Sequence, residues 1–180
     1  MMTKQLEDGR IDLPDVRVSV RSHVPPARIY AALADLPSHT TWAGSMHQKE
    51  NFGLRTIAPS ANPAVVGSEF DSTGDDPMGR FTDHSVVTEA TSPSVFEFVT
   101  EGHLDPKKRG AAPSDTRITY RYEIRPDGEG SVVAYRLHVS KWTNASAALR
   151  SRLLRPVARL VFKRYATKLL SNLTTYAAEH

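Results

Sequence analysis

Residues 115–142 read DTRITYRYEIRPDGEGSVVAYRLHVSKW and contain the clearest strand pattern in the chain. Apolar residues alternate with polar ones in both halves, at Ile118, Tyr120, Tyr122 and Ile124 and again at Val133, Tyr135, Leu137 and Val139. This period of two residues is typical of strands with one buried face. The Pro-Asp-Gly-Glu-Gly segment at 126–130 consists of residues that fix φ or tolerate positive φ. The stretch therefore predicts an antiparallel hairpin with one apolar face.

The chain before this hairpin predicts five more strands. In the first, Val16, Val18 and Val20 alternate with polar residues. The other four are predicted at 47–56, 65–72, 80–90 and 95–101. Turn-forming residues separate them, for example at 74–77 and 92–93, and a polar loop, HLDPKKRGAAPS, is predicted at 103–114.

Two short helical segments are predicted after the first strand. Pro25 and Pro26 end that strand, and apolar residues then recur at helical spacing from Ile29 to Leu36. A second short helix or turn is predicted at 38–42. These segments place two helices before the second strand.

The last part of the chain predicts a long helix. Its apolar stripe runs from Leu149 to Tyr176, and either Thr143 or Asn144 is expected to act as N-cap. Pro156 lies inside the stripe and is expected to kink the helix or divide it. From Pro156 to Ala178 the helix would be roughly 33 Å long, enough to cross a small sheet.

The resulting order is β-α-α-β(6)-α, which predicts an α+β fold. A curved antiparallel sheet of about seven strands needs a cover for its concave apolar face, and the last helix has the length to provide it. A cavity can remain where such a sheet wraps around one helix, and cavities of this kind suit apolar ligands with a few polar anchors.

The composition, 39% hydrophobic and 24% charged over 180 residues, fits one globular domain. The absence of cysteine excludes disulfides, a thiol nucleophile and zinc sites made of cysteine. No stretch reaches the roughly 18–20 apolar residues that span a bilayer. Residues 1–15 carry four acids and no apolar core, unlike a secretory signal. We therefore expect a polar leader over 1–15, a single domain over 16–180 and a cytoplasmic location.

Several segments together resemble one known superfamily. They are VRVSVRSHVPPARIYAALADLPSHTTW at 16–42, VGSEF at 66–70, VVTEATSPSVFEFVTEG at 86–102, RYEIRPDGEGSVVAYRL at 121–137 and the long final helix. The chain resembles the START-like, helix-grip superfamily, also called SRPBCC, and within it the polyketide cyclase/dehydrase and lipid-transport group. The resemblance implies a helix-grip fold with a ligand between the sheet and the last helix. The superfamily includes lipid carriers, hormone receptors and aromatase/cyclases, so the fold leaves the function open.

Six aromatic residues are the candidate ligand-binding residues: Trp42, Tyr120, Tyr122, Tyr135, Trp142 and Tyr165. Rings with one polar tip suit a polycyclic or acyl ligand that carries hydroxyl or carbonyl groups. The alternative is that they are ordinary core residues whose hydroxyls reach the surface or a backbone carbonyl.

Other polar residues give weaker signals for chemistry. Asp83 and His84 are neighbours on one predicted strand and cannot both enter the cavity. The favoured interpretation is that this pair faces solvent, as polar strand residues usually do. Arg121 and Arg136 would be oxyanion donors if they faced inward, but both lie opposite the apolar face. The histidines show no metal-ligand spacing, so neither a metal nor another cofactor is expected and the catalytic residues are unknown.

The basic residues are concentrated in the last helix. Residues 145–180 hold seven basic residues and one acid, whereas 1–144 hold 16 and 19, and together they give the net charge of +3. Arg152, Arg155, Arg159 and Lys163 recur at three- and four-residue spacing and predict a cationic stripe. This stripe is either a solvated face or a contact for an anionic membrane or an acidic protein. A nucleic-acid partner is not expected, because no interleaved aromatic residues or binding motif accompany the charge.

Three functions remain open from the sequence. The first is binding or transport of a hydrophobic small molecule without catalysis. The second is a cofactor-independent polyketide aromatase/cyclase that uses the same cavity. The third is contact with a membrane surface or an acidic protein through the basic helix.

Overall fold

A seven-stranded antiparallel sheet and one long helix form the body of the protein. The structure is a computed structural model that describes residues 15–44, 53–75, 78–144 and 155–180. The strands are β1 Val16–Ser22, β2 Gly53–Pro59, β3 Glu69–Asp75, β4 Gly79–Thr91, β5 Val95–Pro106, β6 Ser114–Asp127 and β7 Gly130–Trp142. The helices are α1 Pro26–Ala34, a 3₁₀ turn Leu36–Ser38, α2 His39–Trp42 and α3 Arg155–Glu179. This order confirms the predicted helix-grip α+β fold.

The strands lie in the order β1-β7-β6-β5-β4-β3-β2. From β2 to β7 each strand pairs with the next one along the chain, as short turns allow. β1 instead pairs with β7, and Val16 lies opposite Leu137. Strands β4 to β7 have 12 to 14 residues. Strands of this length accumulate twist, so the sheet curls and its concave face can enclose a helix.

Helix α3 packs its carboxyl-terminal half against β1 and α1. Leu170 and Leu173 are fully buried there, and Ala166, Leu169 and Ala177 are nearly so. They join Ile29 and Leu33 of α1 and Phe96 of β5 in one apolar core. Burial of each large side chain contributes roughly 1.5–3 kcal/mol, so this half of α3 fixes the position of the helix.

The first turns of α3 differ from the predicted stripe. Val157 and Val161 were expected to face the sheet, but they are 60% and 62% exposed. Leu160 is 52% exposed as well. Of these three, Val161 lines the open cavity between helix and sheet, so packed side chains do not cover it.

Pro156 occupies the first turn of α3. The predicted kink or division at this proline would involve residues 145–154, which lie outside the described residues. Thr143 and Asn144 hold the start of β6: the Asp115 amide donates to Thr143 Oγ1 at 2.8 Å, and Asn144 Nδ2 donates to the Pro113 carbonyl at 2.7 Å.

Two strand predictions have wrong boundaries. The strand expected at 65–72 runs from Glu69 to Asp75, because Val65 and Val66 lie exposed in a loop that Ser68 closes by accepting the Val65 amide at 2.9 Å. The polar loop expected at 103–114 is shorter, since β5 continues to Pro106 and β6 starts at Ser114. The predicted leader up to residue 14 and the first part of the strand expected at 47–56 lie outside the described residues.

Candidate functional site

A cavity of about 550 Å³ lies between the concave face of the sheet and α3. Small-molecule sites in proteins are typically about 300–1,000 Å³, so the volume suits a ligand. The six aromatic residues singled out from the sequence all line it: Trp42, Tyr120, Tyr122, Tyr135, Trp142 and Tyr165. That they bind a ligand stays a prediction.

Strand alternation brings the tyrosines of β6 and β7 to this face. Tyr120 lies opposite Leu137 and Tyr122 opposite Tyr135, so all four point to the concave side. Trp142 is three residues beyond Val139 and would point outward in a regular strand. The register shifts between Arg117 and Ile118, which leaves Ser140 as an extra residue in β7. This bulge returns Trp142 to the cavity.

The tyrosine rings form one cluster at the deep end of the cavity. The ring centroids of Tyr122 and Tyr135 are 5.0 Å apart, and the Tyr120 ring stacks on Phe98 at 5.0 Å. Tyr122 and Tyr135 are each 2% exposed. The Tyr135 hydroxyl has no hydrogen-bond partner among the described residues. An unsatisfied buried hydroxyl costs about 1–3 kcal/mol, so this group lowers the stability of the folded protein.

Burial keeps these hydroxyls protonated. It raises the pKa of Tyr122 and of Tyr165, and it raises the pKa of Tyr120 and Tyr135 well above the ordinary value. The negative charge of Asp83 is a further cause for Tyr120. At neutral pH the cluster therefore offers hydrogen-bond donors and no phenolate base.

His39 lies beside Trp42 at the wall of the cavity and was not among the residues predicted from the sequence. Its Nε2 is 2.8 Å from the Leu33 carbonyl, which makes Nε2 the protonated nitrogen, and burial lowers the pKa of His39 to about 4. Its ring contacts the Trp42 ring at 4.5 Å, and Trp42 Nε1 donates to Ser38 Oγ at 3.1 Å. His39 is a neutral side chain that holds the Trp42 ring in place. No motif marks it in the sequence.

Asp83 also lines the cavity, which corrects the interpretation of Asp83 and His84 as a solvent-facing pair. His84 does face outward and bonds Asp71 through Nδ1 at 2.8 Å. The position along the strand, and not the polarity of the residue, decides the face: Asp83 shares its side of β4 with Phe81, Ser85 and Val87.

Serine and threonine residues continue the same inner face. Ser85 and Thr100 are buried and their hydroxyls are 2.8 Å apart. The other serine and threonine residues that line the cavity are Ser72, Ser114 and Thr116. Extending the alternation of β6 backward from Ile118 would have located Thr116 and Ser114.

The two candidate oxyanion arginines lie outside the cavity. Arg121 Nη1 donates to Glu97 at 3.0 Å and its Nε to Glu123 at 3.0 Å, on the outer face of the sheet. Arg136 pairs with Asp15 at 2.8 Å. Neither guanidinium can therefore polarise a bound carbonyl, as their strand positions indicated. Among the described residues no three His, Asp or Glu side chains come together as a metal site.

The cavity lining reaches the surface at Met78 and Val161, which are 44% and 62% exposed. The first turns of α3 border this end. Arg159 is exposed and Lys163 is half-buried, whereas Arg152 and the side chain of Arg155 lie outside the described residues. None of the described helices is long and apolar enough to cross a membrane.

Comparison with known families agrees with this geometry. A family model described as polyketide cyclase / dehydrase and lipid transport matches residues 14–178. The chain belongs to this family. No curated protein matches the chain.

Solved structures share the fold of this family member at low sequence identity. A protein of Thermus thermophilus, TTHA0849, has a TM-score of 0.62 at 18% identity and covers 92% of this chain and 98% of its own. Ara h 8.0201 has a TM-score of 0.58 at 10% identity, covering 93% and 99%. DynU16, from the dynemicin biosynthetic locus, has a TM-score of 0.53 at 16% identity, covering 90% of this chain and 46% of its own. Family and fold together suggest hydrophobic ligand binding or a polyketide-cyclase-like function.

Proposed function

We propose that the chain binds a hydrophobic small molecule, lipid-like or polyketide-like, between the sheet and α3. The observation that carries the proposal is the cavity of about 550 Å³ between the sheet and α3, whose wall is mostly apolar with a few polar groups. Cavities of this size and lining are the usual sites of small-molecule binding in proteins. Membership of a family that includes lipid transport supports the same proposal.

The cavity wall defines the general chemistry of the ligand. Most of the wall is apolar, with Phe70, Phe98, Leu137, Phe162 and Leu169 among its residues. The tyrosine hydroxyls supply donors at the deep end. The ligand therefore has an apolar body and at least one carbonyl or hydroxyl oxygen that reaches the tyrosine cluster.

A polyketide aromatase/cyclase is the second candidate. The protonated tyrosines could hold a poly-β-ketone and polarise a carbonyl, and the family described as polyketide cyclase / dehydrase and lipid transport supports this candidate. Ring closure also needs proton transfer by a group with a pKa near neutrality. The tyrosines have raised pKa values and His39 has a pKa of about 4, so the deep end favours binding over catalysis.

Contact with a membrane surface is a third candidate and is compatible with the first. The exposed Val157, Leu160 and Val161 lie beside Arg159 and Lys163 where the cavity lining is exposed. Apolar residues flanked by cations suit an anionic lipid surface. Co-sedimentation with anionic vesicles that disappears at high salt would support it, and no sedimentation at low salt would exclude it.

The ligand proposal is tested by native mass spectrometry of freshly purified protein. We expect an adduct of lipid-like mass that organic solvent removes, and uptake of a neutral apolar dye by the emptied protein. Tyr120 lines the cavity and is half-buried, so Tyr120→Phe should weaken binding of an oxygen-bearing ligand roughly three- to tenfold, because one hydrogen bond to the ligand is lost. Tyr135→Phe should instead raise the free energy of unfolding of the empty protein by about 1 kcal/mol, because the unpaired hydroxyl is gone.

Tyr176→Phe is the matched control. Tyr176 lies near the end of α3, outside the cavity lining, with its ring stacked on His180 at 4.2 Å. It should leave dye binding unchanged. A protein that carries no adduct and takes up no apolar dye would contradict the proposed function.

A further inference from the structure

Exposed apolar side chains surround the opening of the cavity. The cavity lining reaches the surface at Met78 and Val161, which are 44% and 62% exposed. Val157 and Leu160 lie within one helical turn of Val161 and are 60% and 52% exposed. We call these four residues the mouth. The apolar wall of the cavity therefore continues onto the surface of the protein at this end.

Two basic segments border the mouth, one on each side. On α3, Arg159 is exposed and Lys163 is half-buried. On the other side is the β5–β6 loop, whose residues 107–109, Lys-Lys-Arg, are all exposed. The Lys107 amide donates to the Met78 carbonyl at 2.8 Å, which fixes this loop beside the mouth. The sequence predicted the basic helix, and the loop is a second basic segment that the fold brings to the same opening.

The acids that the structure describes at this end have partners of their own. Asp115 accepts a hydrogen bond from His103 Nδ1 at 2.7 Å, and Asp105 Oδ1 lies 3.4 Å from Nε2 of the same ring. Asp75, at the end of β3, forms ion pairs with two arginines of β2 and β4. The surface around the mouth therefore keeps a positive charge from both basic segments.

An apolar centre between two cationic borders is complementary to an anionic bilayer. Each lysine or arginine near anionic lipid heads strengthens binding roughly fivefold, and apolar side chains gain free energy when they enter the boundary of the acyl chains. An acidic protein would pair the cations but would not explain why the apolar residues surround an opening. Against a bilayer, a hydrophobic molecule reaches the cavity without crossing water.

We infer that the mouth docks on anionic lipid bilayers and that the cavity exchanges its hydrophobic ligand directly with the bilayer in this position. The inference rests on the proposed binding function and names the partner from which the ligand comes. The two basic segments act together, because they lie on opposite sides of the opening and turn it toward the lipid.

The test measures vesicle binding and ligand transfer separately. Vesicles of phosphatidylcholine with about 30% phosphatidylserine are compared with vesicles of phosphatidylcholine alone by co-sedimentation. Transfer of pyrene-labelled dodecanol between two vesicle populations is followed by the loss of excimer fluorescence. We expect binding and transfer at least about tenfold stronger with the anionic vesicles, and the difference should disappear at about 1 M salt, where charges are screened within about 3 Å.

Two double variants test the two features of the mouth. Lys108→Gln with Arg109→Gln removes two charges and should weaken binding to anionic vesicles at least about tenfold. Val157→Ser with Leu160→Ser keeps the charge and should weaken it at least about fivefold, because less apolar surface enters the lipid. None of these four residues belongs to the described cavity lining, so both variants should take up the pyrene probe from solution as the wild type does.

Matched controls carry the same changes at the opposite end of the sheet. Arg21→Gln with Arg125→Gln removes two exposed charges near the β6–β7 turn. Val65→Ser with Val66→Ser removes two apolar side chains, 58% and 61% exposed, from the β2–β3 loop. Both controls should bind anionic vesicles as the wild type does. Circular dichroism confirms that each variant is folded before it is compared.

The outcomes separate this inference from the proposed function. Equal binding to neutral and anionic vesicles, unchanged binding in the Lys108 and Arg109 variant, or docking without faster transfer would overturn the inference. So would binding to polyglutamate with no binding to vesicles, which would indicate an acidic protein as partner. In each of these cases, uptake of the pyrene probe from solution leaves the proposed function standing. Failure to take up the probe at all would overturn both.

Discussion

His39 shows how one buried side chain links packing to pH. Its Nε2 donates to the Leu33 carbonyl, and burial lowers its pKa from 6.5 to about 4. The unfolded chain therefore binds a proton at a pH where the folded protein does not. This histidine supports the folded state fully above pH 6.5, and that support decreases as the pH falls toward 4.

We expect the free energy of unfolding to fall by roughly 3 kcal/mol through His39 between pH 6.5 and pH 4. His39→Gln keeps a donor for Leu33 and cannot titrate, so its stability should depend less on pH over this range. Urea unfolding at several pH values measures the difference. His23→Gln, at an exposed position, should follow the wild type. Parallel curves for the wild type and His39→Gln would show that His39 is not buried in its neutral form.

Single residues were the hardest part of the site to predict from sequence. The six aromatic residues could be placed on the cavity wall because size and alternation both indicate burial. Asp83 was missed because a charged residue in a strand usually faces water, and here only its place in the alternation indicates the cavity. The proximity of Lys107 to Met78 depends on the pairing of β4 with β5, which no single segment of sequence contains.

At the scale of elements, α3 has two halves with different roles. The carboxyl-terminal half is packed in the core, and the first turns carry exposed apolar side chains, of which Val161 lines the cavity. The sequence shows one continuous apolar stripe over both halves. Its periodicity predicts a helix but does not show whether packed side chains or a cavity lie beneath each turn.

Two leucines of α3 test this division. Leu170 is fully buried, so Leu170→Ala should lower the free energy of unfolding by about 2–5 kcal/mol. Leu160 is 52% exposed, and Leu160→Ala should change it by no more than about 0.5 kcal/mol. Chemical denaturation of both variants checks the prediction. A similar loss in both would mean that the first turns of α3 are packed as tightly as the rest.

The order of elements along the chain and the β6–β7 hairpin were predictable because alternation and turn residues are local signals, whereas the pairing of β1 with β7 was not predicted. The strand boundaries were harder to predict. β5 extends to Pro106 because it pairs with β4, although its last residues are polar. Trp142 reaches the cavity through the Ser140 bulge, which the period of two does not predict.

At the scale of the whole molecule, the cavity sets a limit on stability. Space that could hold apolar side chains is left open between the sheet and α3. Cavity-lining atoms lose packing contacts, so a protein with such a cavity is less stable when empty than one with a filled core. A bound ligand restores those contacts.

A side chain that fills the cavity should therefore weaken ligand binding without lowering the stability of the empty protein. Leu137 lines the wall and is half-buried, so Leu137→Trp should occupy part of the open volume. We expect at least a tenfold loss of apolar dye binding with an unchanged or higher Tm. Ligand should raise the Tm of the wild type, by an amount equivalent to about 2.7 kcal/mol at 100 times Kd, and should not raise that of the variant. Equal dye binding in both proteins would place the binding site elsewhere.

The pairing of β1 with β7 has a consequence for how the chain is made. Val16 lies opposite Leu137, and Ser131 Oγ donates to the Val24 carbonyl at 2.8 Å, so β1 pairs with a strand that is synthesised only after β2 to β6. β1 has no strand partner until β7 has been made, and α3, which packs against it, follows later still. Contacts between such distant segments form slowly. During translation the valines of β1 remain without their native cover until β7 and α3 follow, and exposed apolar surface of this kind favours aggregation.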